Sequence, residues 1–165
     1  MKILIAVLLL LSFNAQADLS LLVNYGVGVK DGLIQYKSTV GATQRSIGLS
    51  WSVNKHLEIE NYLTKINFYD NVTVYTTRPV FNFWQKGNHY YEFGAGGSYF
   101  KHKDIGTIQL STNLQFSLIA GVGFYVGSSR NNRVSFRYNH YSNASIKLPN
   151  VGLDTISIDW KLRIY

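Results

Sequence analysis

His140, Ser142 and Asp154 stand close together near the C-terminus and are of the types a hydrolytic relay needs. A serine hydroxyl is a poor nucleophile at its own pKa and requires an adjacent base. An imidazole can take its proton, and a carboxylate can orient the ring and support its charged form. At i and i+2 in extended backbone, His140 and Ser142 share a face and come within reach of one another. Attack on a carbonyl also creates an oxyanion that needs donors, for which Asn143, the backbone near Asn150, and Gly152 are the candidates. Gly152 would in addition relax the loop ahead of the carboxylate. On spacing alone, such residues beside a loop fit a purely structural role as well as a catalytic one. His56, His89 and His102 fall near turns or loops, and neither a metal-ligand cluster nor a cofactor motif emerges.

The elements that would carry these residues alternate with period two, the signature of strands with one apolar face. Leu21, Val23, Tyr25 and Val27 alternate with Asn24, Gly26 and Gly28, and Ile47, Leu49, Trp51 and Val53 alternate with Ser46, Gly48, Ser50 and Ser52. Asn54-Lys55 supplies a tight connection to a third strand from about His56 to Tyr62, with Leu57 and Ile59 opposed to Glu58 and Glu60. A fourth, from about Val72 to Trp84, contains Pro79, which lacks a ladder amide and predicts a bulge or register change. Strands around Tyr91–Tyr99, Leu114–Val122, Val134–Tyr138 and Ile156–Ile164 complete a set of eight.

Eight strands joined in sequence as antiparallel neighbours make the smallest even outer-membrane barrel, whose closure removes the edges that lipid would not tolerate. Connections at 30–42, 65–71, 101–111 and 143–153 are predicted long, and those near 54, 86 and 129 short, the habit of external loops and periplasmic turns. Residues 1–17 read as a signal peptide: Lys2, an apolar run from Ile3 to Leu11, and Ala15-Gln16-Ala17 as the cleavage motif. Removing those 17 of 165 residues leaves 148, from Asp18 to Tyr165, as one all-β domain. The chain has no cysteine, so an exported fold of this size must be held by packing or by a membrane. Trp 3, Tyr 12 and Phe 9 make 24 aromatic residues, enough for two interfacial girdles, and the formal charge of +7 fits plain solubility and surface charge or, more sharply, an anionic partner such as lipopolysaccharide phosphate. No basic recognition element for nucleic acid is visible.

A soluble eight-stranded barrel with an internal ligand would alternate too. The face dense in Gly, Ser, Asn and Gln, with Glu58, Glu60, Glu92, Arg137, Lys161 and Arg163, reads better as a polar barrel interior. His140 and Ser142 have the parity of Val134, Phe136 and Tyr138, and Asp154 that of Ile156 and Ile158, so all three are predicted to face outward where two adjacent strands meet the external loop. A polar cluster on a lipid-facing wall is costly without a function.

The stretch His140-Tyr141-Ser142-Asn143-Ala144-Ser145-Ile146-Lys147-Leu148-Pro149-Asn150-Val151-Gly152-Leu153-Asp154 resembles the outer-membrane lipid A 3-O-deacylases of the PagL type. The resemblance is strongest over 134–160. It implies an eight-stranded barrel with an external catalytic patch, His140 as base, Ser142 as nucleophile and Asp154 as acid, with Asn143 and Asn150 associated with the site. It implies a serine esterase that removes the 3-O-linked acyl chain of lipid A, without cofactor, in the bacterial outer membrane. Asp154 and Ser145 depart from a family pattern of Glu and Gly at those places. Lys147 or Lys101 could assist with lipid A phosphate. The rival functions are a noncatalytic barrel for adhesion or envelope integrity and a lipid-binding barrel. A homodimer is neither implied nor excluded by the sequence.

Overall fold

A computed structural model describes residues 18–30, 38–128 and 130–164. The predicted signal peptide lies outside the described residues. The strands are β1 (Leu19–Gly28), β2 (Thr43–Ser52), β3 (Leu57–Phe68), β4 (Asp70–Lys86), β5 (His89–Phe100), β6 (Asp104–Ile105), β7 (Ile108–Gln109), β8 (Leu114–Val126), β9 (Asn132–Ser142) and β10 (Leu153–Arg163). Eight of them close a barrel in the order β1-β10-β9-β8-β5-β4-β3-β2, every pair antiparallel, and β6-β7 form a separate small hairpin.

Closure follows from the alternation, because each strand offers one face to the lumen and the other to an apolar surround. Leu49, Phe116, Ile158 and Trp160 are exposed on the outer wall, with Trp51 and Leu118 half-buried on the same parity. That wall is what an outer-membrane barrel presents to lipid, and a soluble barrel would have turned it inward.

Two local expectations are overturned. The span 65–71 is not a long loop: β3 and β4 continue to a tight hairpin that pairs Phe68 with Asp70, and Tyr69 takes a φ of 63° at its tip. Nor does Pro79 shift the register, since it faces Ile59 in an unbroken ladder with β3, and the pairs on either side of it keep one register with β5. The irregularity falls between Phe83 and Lys86, beside the 87–88 turn. Pro79 lacks only a donor, and a single missing amide does not force an extra residue into the strand.

The lumen is layered. Toward the short turns it holds a charge network of four carboxylates, Glu58, Glu60, Glu92 and Asp159, matched by four cations, Arg78, Arg133, Arg137 and Lys161. Arg137 is its hub, donating to Glu92 at 2.6 and 2.8 Å, to Glu60 at 2.8 and 3.0 Å, and to Asp159 and Tyr62 at 3.0 Å. Arg163 does not join it. Its side chain is 44% exposed at the rim and pairs with Asp18, because β10 ends there. Toward the long loops the lumen is apolar: Ile66, Phe68, Val72, Val74, Phe100, Tyr141 and Leu153 pack with Ile105, Ile108 and Leu110 from the small hairpin. The interior is therefore not polar throughout, as the alternation suggested. The apolar plug gives the loop end a packed foundation.

Candidate active site

β9 and β10 leave the barrel wall side by side at the loop end, and their register sets His140 directly opposite Asp154. The pleat puts His140, Ser142 and Asp154 on the outward parity, in line with Phe136 and Ile156. Unlike those exposed neighbours, the three are 2%, 7% and 1% exposed. Parity gives the side of the wall but not this burial; Thr39 from the β1–β2 connection and Ser111 from the connection after β7 both reach this end of β9 and β10.

His140 Nδ1 lies 2.6 Å from Asp154 Oδ1, and His140 Nε2 lies 2.9 Å from Ser142 Oγ. A carboxylate can only accept, so Nδ1 carries the proton and donates to it. In the neutral ring Nε2 is then the acceptor for the serine hydroxyl. This polarity, with the free lone pair turned toward Ser142, is what removal of a hydroxyl proton requires. Asp154 Oδ2 is buried and has no hydrogen-bond partner among the described residues. The carboxylate's bond to the ring is thus its orienting contact.

The other sequence candidates hold the loop. Asn150 Oδ1 accepts from the Asn143 backbone amide at 3.0 Å, and Asn150 Nδ2 donates to Ser145 Oγ at 3.2 Å. Asn143 Nδ2 donates to the Lys147 carbonyl at 2.7 Å and to Ser111 Oγ, which itself donates to the Lys147 carbonyl at 2.8 Å. The amide donors of Asn143 are thereby engaged, one within the loop and one with the connection after β7. Gly152 is buried just before β10, but the left-handed positions of this connection are Ala144 and Ser145, at φ 53° and 61°. Glycine's freedom is thus called for at 145, where this chain has serine; a non-glycine residue there costs roughly 1–2 kcal/mol. Lys147 and Lys101 are both exposed, the first within this loop and the second just after β5.

Two supports were invisible to sequence reasoning. Ser111 anchors the loop from the connection after β7. Thr39, buried in the β1–β2 connection, donates from Oγ1 to the Asp154 carbonyl at 2.6 Å. Neither has a local motif, since each acts across a long chain separation. Thr39 can come this close because Gly28 has no side chain: a Cβ there would stand 1.8 Å from the Thr39 carbonyl oxygen. Gly28→Ala is therefore expected to push Thr39 off β10 and misplace Asp154. Ester hydrolysis should fall by as much as about 10²-fold, the scale of a 1 Å misplacement, with the barrel still folded. A wild-type rate in a folded Gly28→Ala protein would remove Thr39 from the account.

Beside Ser142 the outer wall is indented. A groove of about 940 Å³ runs over β5 and β8, lined by Ala95, Gly97, Tyr99, Leu114, Phe116 and Ile146, and Asn143 also borders it. Ser142 is directly opposite Phe116 in the β8–β9 register and precedes Asn143, so its strand position adjoins two residues that line the groove. No group of three or more His, Cys, Asp or Glu that could hold a metal occurs among the described residues.

Comparison with known proteins bears on the family and the fold. The family model described as lipid A 3-O-deacylase (PagL) matches residues 30–163. The lipid A deacylase PagL of Bordetella bronchiseptica (strain ATCC BAA-588 / NCTC 13252 / RB50) is 35% identical over 82 residues, covering 50% of this chain and 45% of that protein. The match thus spans less than half of that relative's length. Among solved structures, the crystal structure of the outer membrane enzyme PagL superposes with a TM-score of 0.71 at 23% identity, over 88% of this chain and 99% of that one. The N-terminal β-barrel domain of Pseudomonas aeruginosa OprF gives 0.63 at 8% identity, over 89% and 100%. These two superpositions speak to the fold.

Proposed function

The chain belongs to the lipid A 3-O-deacylase (PagL) family, and we propose that it is a serine esterase that hydrolyses the 3-O-linked acyl chain of lipid A in the outer leaflet. The observation that carries this reading is the Ser142–His140–Asp154 relay on the outer wall at the head of an apolar groove. A site on that wall serves a substrate that stands in the membrane beside the barrel.

In this mechanism Ser142 Oγ attacks the ester carbonyl while His140 Nε2 takes its proton. Asp154 holds the ring by Nδ1 and stabilises the imidazolium. The tetrahedral intermediate collapses as His140 returns the proton to the departing sugar oxygen, leaving the acyl group on Ser142. Water, deprotonated by His140, then releases the fatty acid and restores the hydroxyl. Asn143, next to Ser142 in the chain and bordering the groove, is the side chain we assign to the oxyanion. Its donors are engaged at rest, so substrate must draw one of them away from Ser111 or Lys147.

The groove supplies the place for the acyl chain. Gly97 lies on the outward parity of β5, and a Cβ there meets nothing within 4 Å. Gly97→Phe should therefore fold normally and fill the groove. Hydrolysis of long-chain esters should drop by about tenfold or more while that of an acetyl ester is kept, since each methylene excluded from an apolar pocket is worth about 1–3 kcal/mol. Parallel loss on both substrates would place the chain elsewhere. The reading as a whole is tested by mass spectrometry of lipid A from membranes incubated with the purified protein and with its Ser142→Ala form. Loss of one 3-linked acyl chain with the first alone is expected, and unchanged lipid A with both would overturn it.

A further inference from the structure

Arg45 and Lys65 are exposed on the outward face of β2 and β3, and the register makes them direct cross-strand partners. Such partners have Cβ atoms about 4.5–5.5 Å apart, and like charges so placed destabilise a sheet unless an anion lies with them. The wall supplies none: no outward position of β1 to β4 is Asp or Glu, and no ion pair among the described residues includes either cation. A third cation follows, because the amide of Lys101 donates at 2.9 Å to the carbonyl of Thr73, the β4 partner of Lys65. A groove of about 520 Å³ at this face is lined by both cations with Val23, Tyr25, Ile47 and Leu63. Tyr25 is level with Arg45, Val23, Ile47 and Leu63 lie on the short-turn side of the two cations, and the cations stand near the loop end.

A cationic head above an apolar trough on a lipid-facing wall is complementary to a phosphorylated lipid standing in the outer leaflet. We propose that the β2–β3 face binds a phosphate-bearing glycolipid of that leaflet, its phosphate between Arg45 and Lys65 and an acyl chain along Val23, Ile47 and Leu63. Arg45 offers a planar fork of donors to phosphate oxygens and Lys65 a compact charge. The site is distinct from the relay, since β1 lies between β2 and the strand that carries Asp154. It holds lipid by charge and burial and breaks no bond, so it does not depend on the proposed hydrolysis.

The test counts bound lipid by native mass spectrometry of the full-length protein in neutral detergent. Ser142→Ala is used as background so that nothing is consumed, with bisphosphorylated and dephosphorylated lipid A as probes. Adding Arg45→Gln and Lys65→Gln should weaken binding of one bisphosphorylated lipid about 25-fold, at roughly a factor of five for each cation near an anionic headgroup. Dephosphorylated lipid A should bind alike with and without the two substitutions. With Ser142 intact, the double variant should hydrolyse a short soluble ester at the unaltered rate, which also shows that it is folded. Equal binding of bisphosphorylated lipid A to both proteins would overturn the proposal. So would dephosphorylated lipid A that binds the unsubstituted face as tightly as the phosphorylated form. Neither outcome depends on whether lipid A is a substrate.

Discussion

Ser142→Ala and His140→Ala are each expected to lower the rate of lipid A deacylation by about 10⁴- to 10⁶-fold, and the double variant should be little worse than either alone. Residues that act as one unit lose their joint contribution when any member is removed, so the losses do not add. Asp154→Asn should fall less far, because an amide oxygen can still accept from His140 Nδ1 across the present 2.6 Å. It loses the charge that supports the imidazolium and keeps much of the geometry. Asp154→Glu should retain measurable activity if the longer acid finds room. All these variants should migrate as folded barrels in unheated gel electrophoresis, since the three side chains point away from the lumen. A Ser142→Ala protein that deacylates at the wild-type rate would end the serine mechanism.

The second large effect concerns the wall that carries the site. Arg137→Ala should destabilise the barrel by about 3–5 kcal/mol, the scale of leaving buried charge without its partner. The guanidinium donates to Glu60, Glu92 and Asp159, all of them buried, and its removal leaves three carboxylates facing one another. Urea unfolding in phosphatidylcholine vesicles measures the shift. Arg137→Lys should fall between, keeping the charge and losing the fork. Adding Glu60→Gln to Arg137→Ala should recover part of the loss. An unchanged unfolding midpoint in Arg137→Ala would show that solvent, and not the network, satisfies these acids.

Most of the fold and of the site is legible in the parity of a few side chains. Ile158 and Trp160 gave β10 its outer face, and the same count put Asp154 on it, opposite a strand whose Phe136 did as much for His140 and Ser142. What failed was longer in range or weaker in pattern. Ile66 and Phe68 are apolar on the inward parity, so the end of β3 broke the expected alternation and read as loop. They belong to a plug completed by Ile105 and Leu110 from a distant connection. Arg163 shared the parity of the lumen charges but sits where the strand runs out of wall. Thr39 reaches the site only because the barrel closes β1 against β10, Ser111 reaches it through the β8–β9 pairing, and no local spacing announces a contact between residues 39 and 154. The burial of the relay is not legible either, since parity gives a side of the wall and not what lies over it.

The most direct test of the account asks whether Ser142 is the group that bonds to the acyl carbon. The purified protein in detergent micelles is treated with a long-chain alkyl fluorophosphonate, which modifies a serine only when a neighbouring base activates it, and is then digested for peptide mass spectrometry. The account predicts one adduct per chain, on the peptide that contains Ser142, with lipid A deacylation lost in proportion to labelling and no adduct in His140→Ala. An adduct on another serine, or full deacylation by protein whose Ser142 is wholly modified, would contradict it.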